Sequence, residues 1–162
     1  MKSIVIDTNV LVLLIVGRTR PTLIDSHTAL SRYPRESLRW LCDILMNYDE
    51  HIITPGILAE TSNLLLKDKK TSKQTMPALR AMVGDSSFTS SIPYNETNIA
   101  IEEIVNTHGF FWLGVVDASI LSLAKSGIPL ITSDTKLFLE ASSFCKGCIN
   151  FNKFVQEVAL KL

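Results

Sequence analysis

The chain has 162 residues, 46% of them hydrophobic, with 16 lysines and arginines against 16 aspartates and glutamates. That length supports one well-packed core and is short for two. Zero net charge excludes a general polycation attraction to nucleic acid or membrane, so any basic surface must be local.

Near the N-terminus the apolar stretch is broken by Asp7, Thr8 and Asn9, and no small-residue cleavage site follows, so no signal peptide is expected. The apolar run Val10 to Val16 falls far below the roughly 20 residues that cross a bilayer. Cys42, Cys145 and Cys148 form no disulfide framework, which suits a reducing compartment and a cytoplasmic protein. Cys145-Lys146-Gly147-Cys148 has redox or zinc spacing. It leads into a strand-like segment without a second ligand pair, and reads as a turn followed by a buried thiol.

Ile4-Val5-Ile6 predicts a strand ending at Asp7, and Val10 to Val16 a buried helix stopped by Gly17. Arg18 to Pro34 lacks periodicity and is expected to be a long loop, with one helical turn near Ala29-Leu30. Leu38, Leu41, Ile44 and Leu45 predict a helix over 35–48. His51 to Thr54 is the second strand, and Thr54-Pro55 supplies an N-cap with proline at the first helical position. The helix that follows carries Glu60 and Asn63 beside an apolar face. Another helix is expected over 72–82, and a short strand over 88–92. Asn95 is expected to cap a helix reaching about Thr107. Val115 to Lys125 predicts a helix with Gly127 at its end and Asp117 in its first turn. Ile128 to Thr132 is a strand running to Asp134, Leu137 to Leu139 belong to a short helix, and Ile149 to Phe151 form a last strand. Asn152 is expected to cap a terminal helix. Strands alternating with helices predict a single α/β domain over 1–162, with a mostly parallel central sheet flanked by helices.

In such a sheet the C-terminal strand ends share one edge, so Asp7 and Asp134 should meet in a crevice that Glu60 and Asp117 can also reach. Each acid alone has an ordinary explanation: Asp117 as a helix-start charge, Glu60 as a solvated side chain. Together they are more specific, because two carboxylates about 4 Å apart repel by roughly 4 kcal/mol at an effective dielectric of 20. A cluster of four either takes up protons or binds a divalent ion, and all-oxygen ligands favour Mg²⁺ or Mn²⁺.

Asp7-Thr8-Asn9-Val10, Thr54-Pro55 leading to Glu60, Val116-Asp117-Ala118-Ser119-Ile120 and Ile131-Thr132-Ser133-Asp134 resemble the four motifs of PIN-domain nucleases, in order and over nearly the whole chain. The likeness is greatest to VapC-type toxins of toxin–antitoxin modules. It implies an endoribonuclease dependent on Mg²⁺ or Mn²⁺, with Asp7, Glu60, Asp117 and Asp134 as the acidic quartet. Asp7, Asp117 and Asp134 would hold metal directly or through water, Glu60 would complete the site, and metal-activated water would hydrolyse the phosphodiester. Thr8, Asn9 and Thr132 match polar positions that would orient the carboxylates. A toxin would have an antitoxin partner whose peptide enters the crevice, and a homodimer through exposed apolar helix faces is a further expectation. The segment 18–38 is longer and richer in arginine than a minimal toxin would carry.

Arg18, Arg20, Arg32 and Arg35, with Arg39 and Lys67, Lys69, Lys70 and Lys73, are candidates to hold the RNA backbone. Tyr33 or Trp40 could stack a base, although Trp40 reads better as core. His27, His51 and His108 lack metal-ligand spacing. Rival readings are a PIN-like RNA-processing nuclease outside a toxin–antitoxin pair and a non-catalytic PIN-fold binding module. A haloacid-dehalogenase-like phosphatase is a further rival, which needs an acid where Asn9 stands.

Overall fold

A computed structural model describes residues 1–84 and 94–160, without the side chains of Tyr94 and Glu96. The short strand expected over 88–92 lies outside these residues. Ser3–Ile6 (β1) is flanked by Glu50–Ile53 (β2) and Leu130–Thr132 (β4), with Tyr94–Glu96 (β3) beyond β2 and Ile149–Asn150 (β5) beyond β4. The order is β3-β2-β1-β4-β5 and every pairing is parallel. Ile52 lies opposite Val5, and Ile131 opposite Ile6. A parallel sheet covered on both faces needs continuous apolar strands, and Ile4, Val5, Ile6, Leu130 and Ile131 are all fully buried. The expected α/β class and parallel sheet are those observed.

The chain runs outward from β1 to β3, then returns to β4 on the other side of β1. β1 and β4 therefore flank the point where strand order reverses, the place where open α/β sheets leave a crevice at their C-terminal edge.

The helix after β1 runs from Thr8 to Thr19 (α1), past the expected stop at Gly17. Gly17 serves close approach: a Cβ there would stand 2.7 Å from Leu38 Cδ1. Val10 to Val16 have no exposed surface, as expected of a helix apolar on all sides. Such a helix needs cover on its outer side. The segment expected to be a loop supplies part of it, with short 3₁₀ turns at Pro21–Leu23 and Thr28–Leu30 and with Leu23, Ile24, Leu30 and Tyr33 buried in the same core. Asp68 fastens it by accepting from Thr28 N at 3.2 Å.

Ser37–Leu45 (α2) buries Trp40, Leu41 and Leu45 on one face. Pro55–Lys67 (α3) starts as expected, Thr54 Oγ1 accepting from Ile57 N. Ser72–Gly84 (α4) follows. Asn95 caps no helix: it lies in β3, and its amide donates to the buried Glu50, so the helix after it shrinks to Ile101–Val105 (α5). Satisfying a buried carboxylate outweighs the local preference of Asn for helix starts. Phe110–Leu113 (α6) and Val115–Lys125 (α7) meet at Gly114, whose φ of 88° and ψ of 178° lie in a region essentially restricted to glycine. Thr135–Ser142 (α8) and Phe151–Ala159 (α9) complete the fold. The cap of α9 is Asn150, which accepts from Lys153 N at 3.1 Å, rather than Asn152. Cys145 is buried and all three thiols are free. No helix among the described residues is long and apolar enough to cross a membrane.

Candidate active site

A cavity of 440 Å³ opens at the C-terminal edge of β1 and β4 and is lined by Asp7, Glu60, Asp117 and Asp134, together with Thr8 and Asn9. Leu64 and Leu113 to Val116 form its apolar side. Four segments far apart in sequence thus bring their acids to one place. A larger cavity of 720 Å³ on α4, between Met76 and Gly84, is lined among the described residues by Arg80 and by no carboxylate. Chemistry rather than volume singles out the site.

Asp7 is held from both sides. Its Oδ1 accepts from Thr8 N at 2.6 Å, where it caps α1, and its Oδ2 accepts from Thr132 Oγ1 at 2.7 Å. Thr132 Oγ1 in turn accepts from Asp134 N at 2.8 Å. Asp134 caps α8, with Oδ1 accepting from Lys136 N and Leu137 N at 2.7 and 2.9 Å. Thr8 Oγ1 donates to Glu60 Oε2 at 3.0 Å. Two threonines therefore tie Glu60, Asp7 and Asp134 into one network. Asp117 accepts no hydrogen bond from any described residue and sits in the first turn of α7, three residues after the Gly114 kink.

Burial raises the Asp7 pKa above the ordinary range; Thr132 and Thr8 work against this, and Asp134 and Glu60 add to it. Burial, then the charges of Asp7, Asp134 and Glu60, push Asp117 up to about 7. Among the described residues no lysine or arginine forms an ion pair with any of the four. Nor is any group of three or more His, Cys, Asp and Glu there placed to hold a metal ion. An all-oxygen donor set in which the charges of Glu60 and Asp134 raise the proton affinity of Asp7 and Asp117 fits a hard divalent ion.

The family model of the PIN domain matches residues 4–142. The chain belongs to the PIN domain family. PIN domains are generally metal-dependent nucleases. No curated protein and no solved structure matches this PIN domain.

The arginines of the proposed RNA surface do not all come to the cavity. Arg18 lies ten residues along α1 from Thr8, about 15 Å away by helical rise. Its charge is felt instead by His51 at the start of β2. Arg20 follows α1 and reaches Gln74 of α4 at 3.4 Å. Arg35 pairs with Asp25 on the surface. Arg32 stacks over the Tyr33 ring at 5.6 Å and is not among the described residues that line the cavity. Lys67, Lys69, Lys70 and Lys73 are exposed around the α3–α4 turn.

Tyr33 and Trp40 are 4% and 7% exposed, so neither presents a face for a base; both complete the core. The Tyr33 hydroxyl donates to Asn152 Oδ1 at 2.8 Å, and Asn152 Nδ2 donates to Ser133 O at 2.7 Å. This brace behind Asp134 escaped the sequence reading, because a Tyr and an Asn 119 positions apart leave no local signal. The Leu113 to Val116 wall also escaped it. A glycine between two apolar runs was its only sequence trace.

Proposed function

We propose that this PIN domain is a Mg²⁺- or Mn²⁺-dependent endoribonuclease that hydrolyses RNA phosphodiester bonds, the toxin of a VapC-type toxin–antitoxin module. The observation that carries the reading is the cavity at the β1/β4 switch point, where four carboxylates face one another without a cation of the chain's own among the described residues. Asp7, Asp117 and Asp134 would hold the ion, and Glu60 would complete the site. Such an ion supplies a water of lowered pKa and neutralises charge on the reacting phosphate. Thr8 and Thr132 keep the Asp7 carboxylate oriented, Thr8 does the same for Glu60, and Asn9 supplies a further polar group to the lining. Leu113 to Val116 limit water on one side.

The decisive experiment incubates the protein with assorted RNAs and DNAs in Mg²⁺, Mn²⁺ or EDTA. RNA should be cut internally with either metal and remain intact in EDTA; cleavage that persists in EDTA overturns the mechanism.

For the phosphate backbone we take Arg32, beside Tyr33, and Lys136, two residues beyond Asp134, as the candidate cations. Replacing both with alanine should reduce the slope of log K against log salt by about 1 to 2. Replacing Arg18 and Arg20 should leave it unchanged, and the opposite pattern would reverse the assignment. The antitoxin would present a basic side chain to the acids. Ile101, Phe111 and Trp112 are exposed apolar side chains available to that partner or to a homodimer. Growth arrest on expression, relieved by a small protein encoded beside this one, is the expected result; growth without arrest removes the toxin role.

A further inference from the structure

Val115 and Val116 line two cavities, the acid-lined one and a smaller one of 190 Å³ beside it. Pro55, Ile99 and Ile104 contribute apolar surface to the smaller cavity. The hydroxyls of Thr54 and Ser119, 3.5 Å apart, supply its polar groups. Ser119 Oγ donates to Val116 O at 2.6 Å and keeps lone pairs for a ligand donor. Thr54 Oγ1 accepts from Ile57 N at 3.3 Å. Asn98 lines the same pocket from an exposed position between β3 and α5, and its amide has no hydrogen bond to any described residue. Gly56 also lines the pocket, and a Cβ there would stand 2.9 Å from Val116 Cγ2. The valine partition can close over α3 only because that side chain is absent.

A flat ring with a polar edge suits such a space: apolar walls for its faces, an amide and two hydroxyls for its donors and acceptors. Charge points to the same ligand. Between Arg80 and Lys125 the sequence contains neither lysine nor arginine. This flank of the site, built largely from residues 97–119, therefore offers no lysine or arginine to a phosphate and suits the base end of a nucleotide.

We propose that the pocket walled by Ile99, Ile104 and Val115–Val116 is a nucleobase subsite. It would receive the unpaired base of a nucleotide next to the scissile phosphate, with Asn98 reading the polar edge. The substrate would then be single-stranded or looped RNA, since a base held in a duplex cannot enter. The choice of substrate rests on the nuclease reading above; the pocket's chemistry does not.

Titration of the protein with the four ribonucleoside 5′-monophosphates, their deoxy counterparts and ribose 5-phosphate, followed by amide chemical shifts, tests the subsite directly. One base should bind about tenfold more tightly than the others, shifting Val116 and Ser119. Asn98→Ala should remove the preference, and Asn98→Asp, which exchanges a donor for an acceptor, should change which base is preferred. Equal binding of all four bases and of ribose 5-phosphate, or a preference indifferent to both substitutions, overturns the proposal. The cut-site profile on a random single-stranded RNA pool separates the two readings. Cleavage whose base preference ignores Asn98 sinks the subsite and leaves the nuclease. Asn98-dependent nucleotide binding without cleavage of any RNA or DNA sinks the nuclease and leaves the subsite.

Discussion

Asp117→Asn is expected to lower metal-dependent RNA hydrolysis by about a thousandfold, the scale of losing one preorganised electrostatic contact in a reacting site, while making the metal-free protein more stable at pH 8. Both effects have one cause. Asp117 is half-buried, accepts no hydrogen bond from a described residue, and faces Asp7, Asp134 and Glu60. The folded protein keeps its proton up to about pH 7, whereas the ordinary value is 3.8. Between those values the folded state binds more proton than the unfolded chain, so stability falls as pH rises. The Asp117 contribution is fully present below about pH 4 and is lost as pH passes about 7. The amide carries no charge and removes this slope. Thermal unfolding from pH 4 to 8 should show a falling midpoint in the parent and a flatter profile in the variant. Mg²⁺ or Mn²⁺ should raise the midpoint of the parent at pH 8 and have less effect on the variant. A variant as pH-sensitive as the parent, or one that still cleaves RNA at the parental rate, would falsify the assignment.

Thr132→Val is expected to reduce metal affinity by about 10- to 100-fold, as loss of a partner behind a metal ligand does, and to cost about 1 to 3 kcal/mol of stability. The Thr132 hydroxyl joins two acids: it donates to Asp7 Oδ2 and accepts from Asp134 N. Valine has nearly the same shape but leaves Asp7, only 4% exposed, one donor short and the Asp134 backbone without its acceptor. It should also raise the Asp7 pKa further, because the Thr132 bond is the largest influence holding it down. Thr132→Ser restores the hydroxyl and should recover most of the metal affinity. Isothermal titration with Mn²⁺, beside urea unfolding of the metal-free forms, distinguishes the two effects. Equal Mn²⁺ affinity in the valine and serine variants would remove Thr132 from the support of the site.

Regular elements were legible where local chemistry and packing agree. Ile4-Val5-Ile6 is a strand because β-branched residues suit a sheet buried on both faces. Thr54-Pro55 starts a helix because its hydroxyl and fixed φ meet the needs of a first turn. Misreadings fell where a distant partner overrode local preference. Asn95 answers Glu50, 45 positions away, and Gly17 answers the side chain of Leu38. Asn152 serves Ser133 and Tyr33 while Asn150 caps the helix.

The amino-acid order by itself determined the α/β class, the strand ends that carry Asp7 and Asp134, and the grouping of four acids into one family pattern. The first two follow from hydrophobic periodicity and from the high cost of acids at the edge of apolar segments, both of which act over a few residues; the third rests on the resemblance to the PIN-domain motifs. Only tertiary structure decided that Arg18 and Arg20 lie away from the acids, that Tyr33 and Trp40 are core, and that a glycine kink erects an apolar wall between two cavities. Those outcomes depend on which segments cover α1 and on how α6, α7 and α3 approach one another, and contacts between distant segments leave no periodic trace in a single sequence.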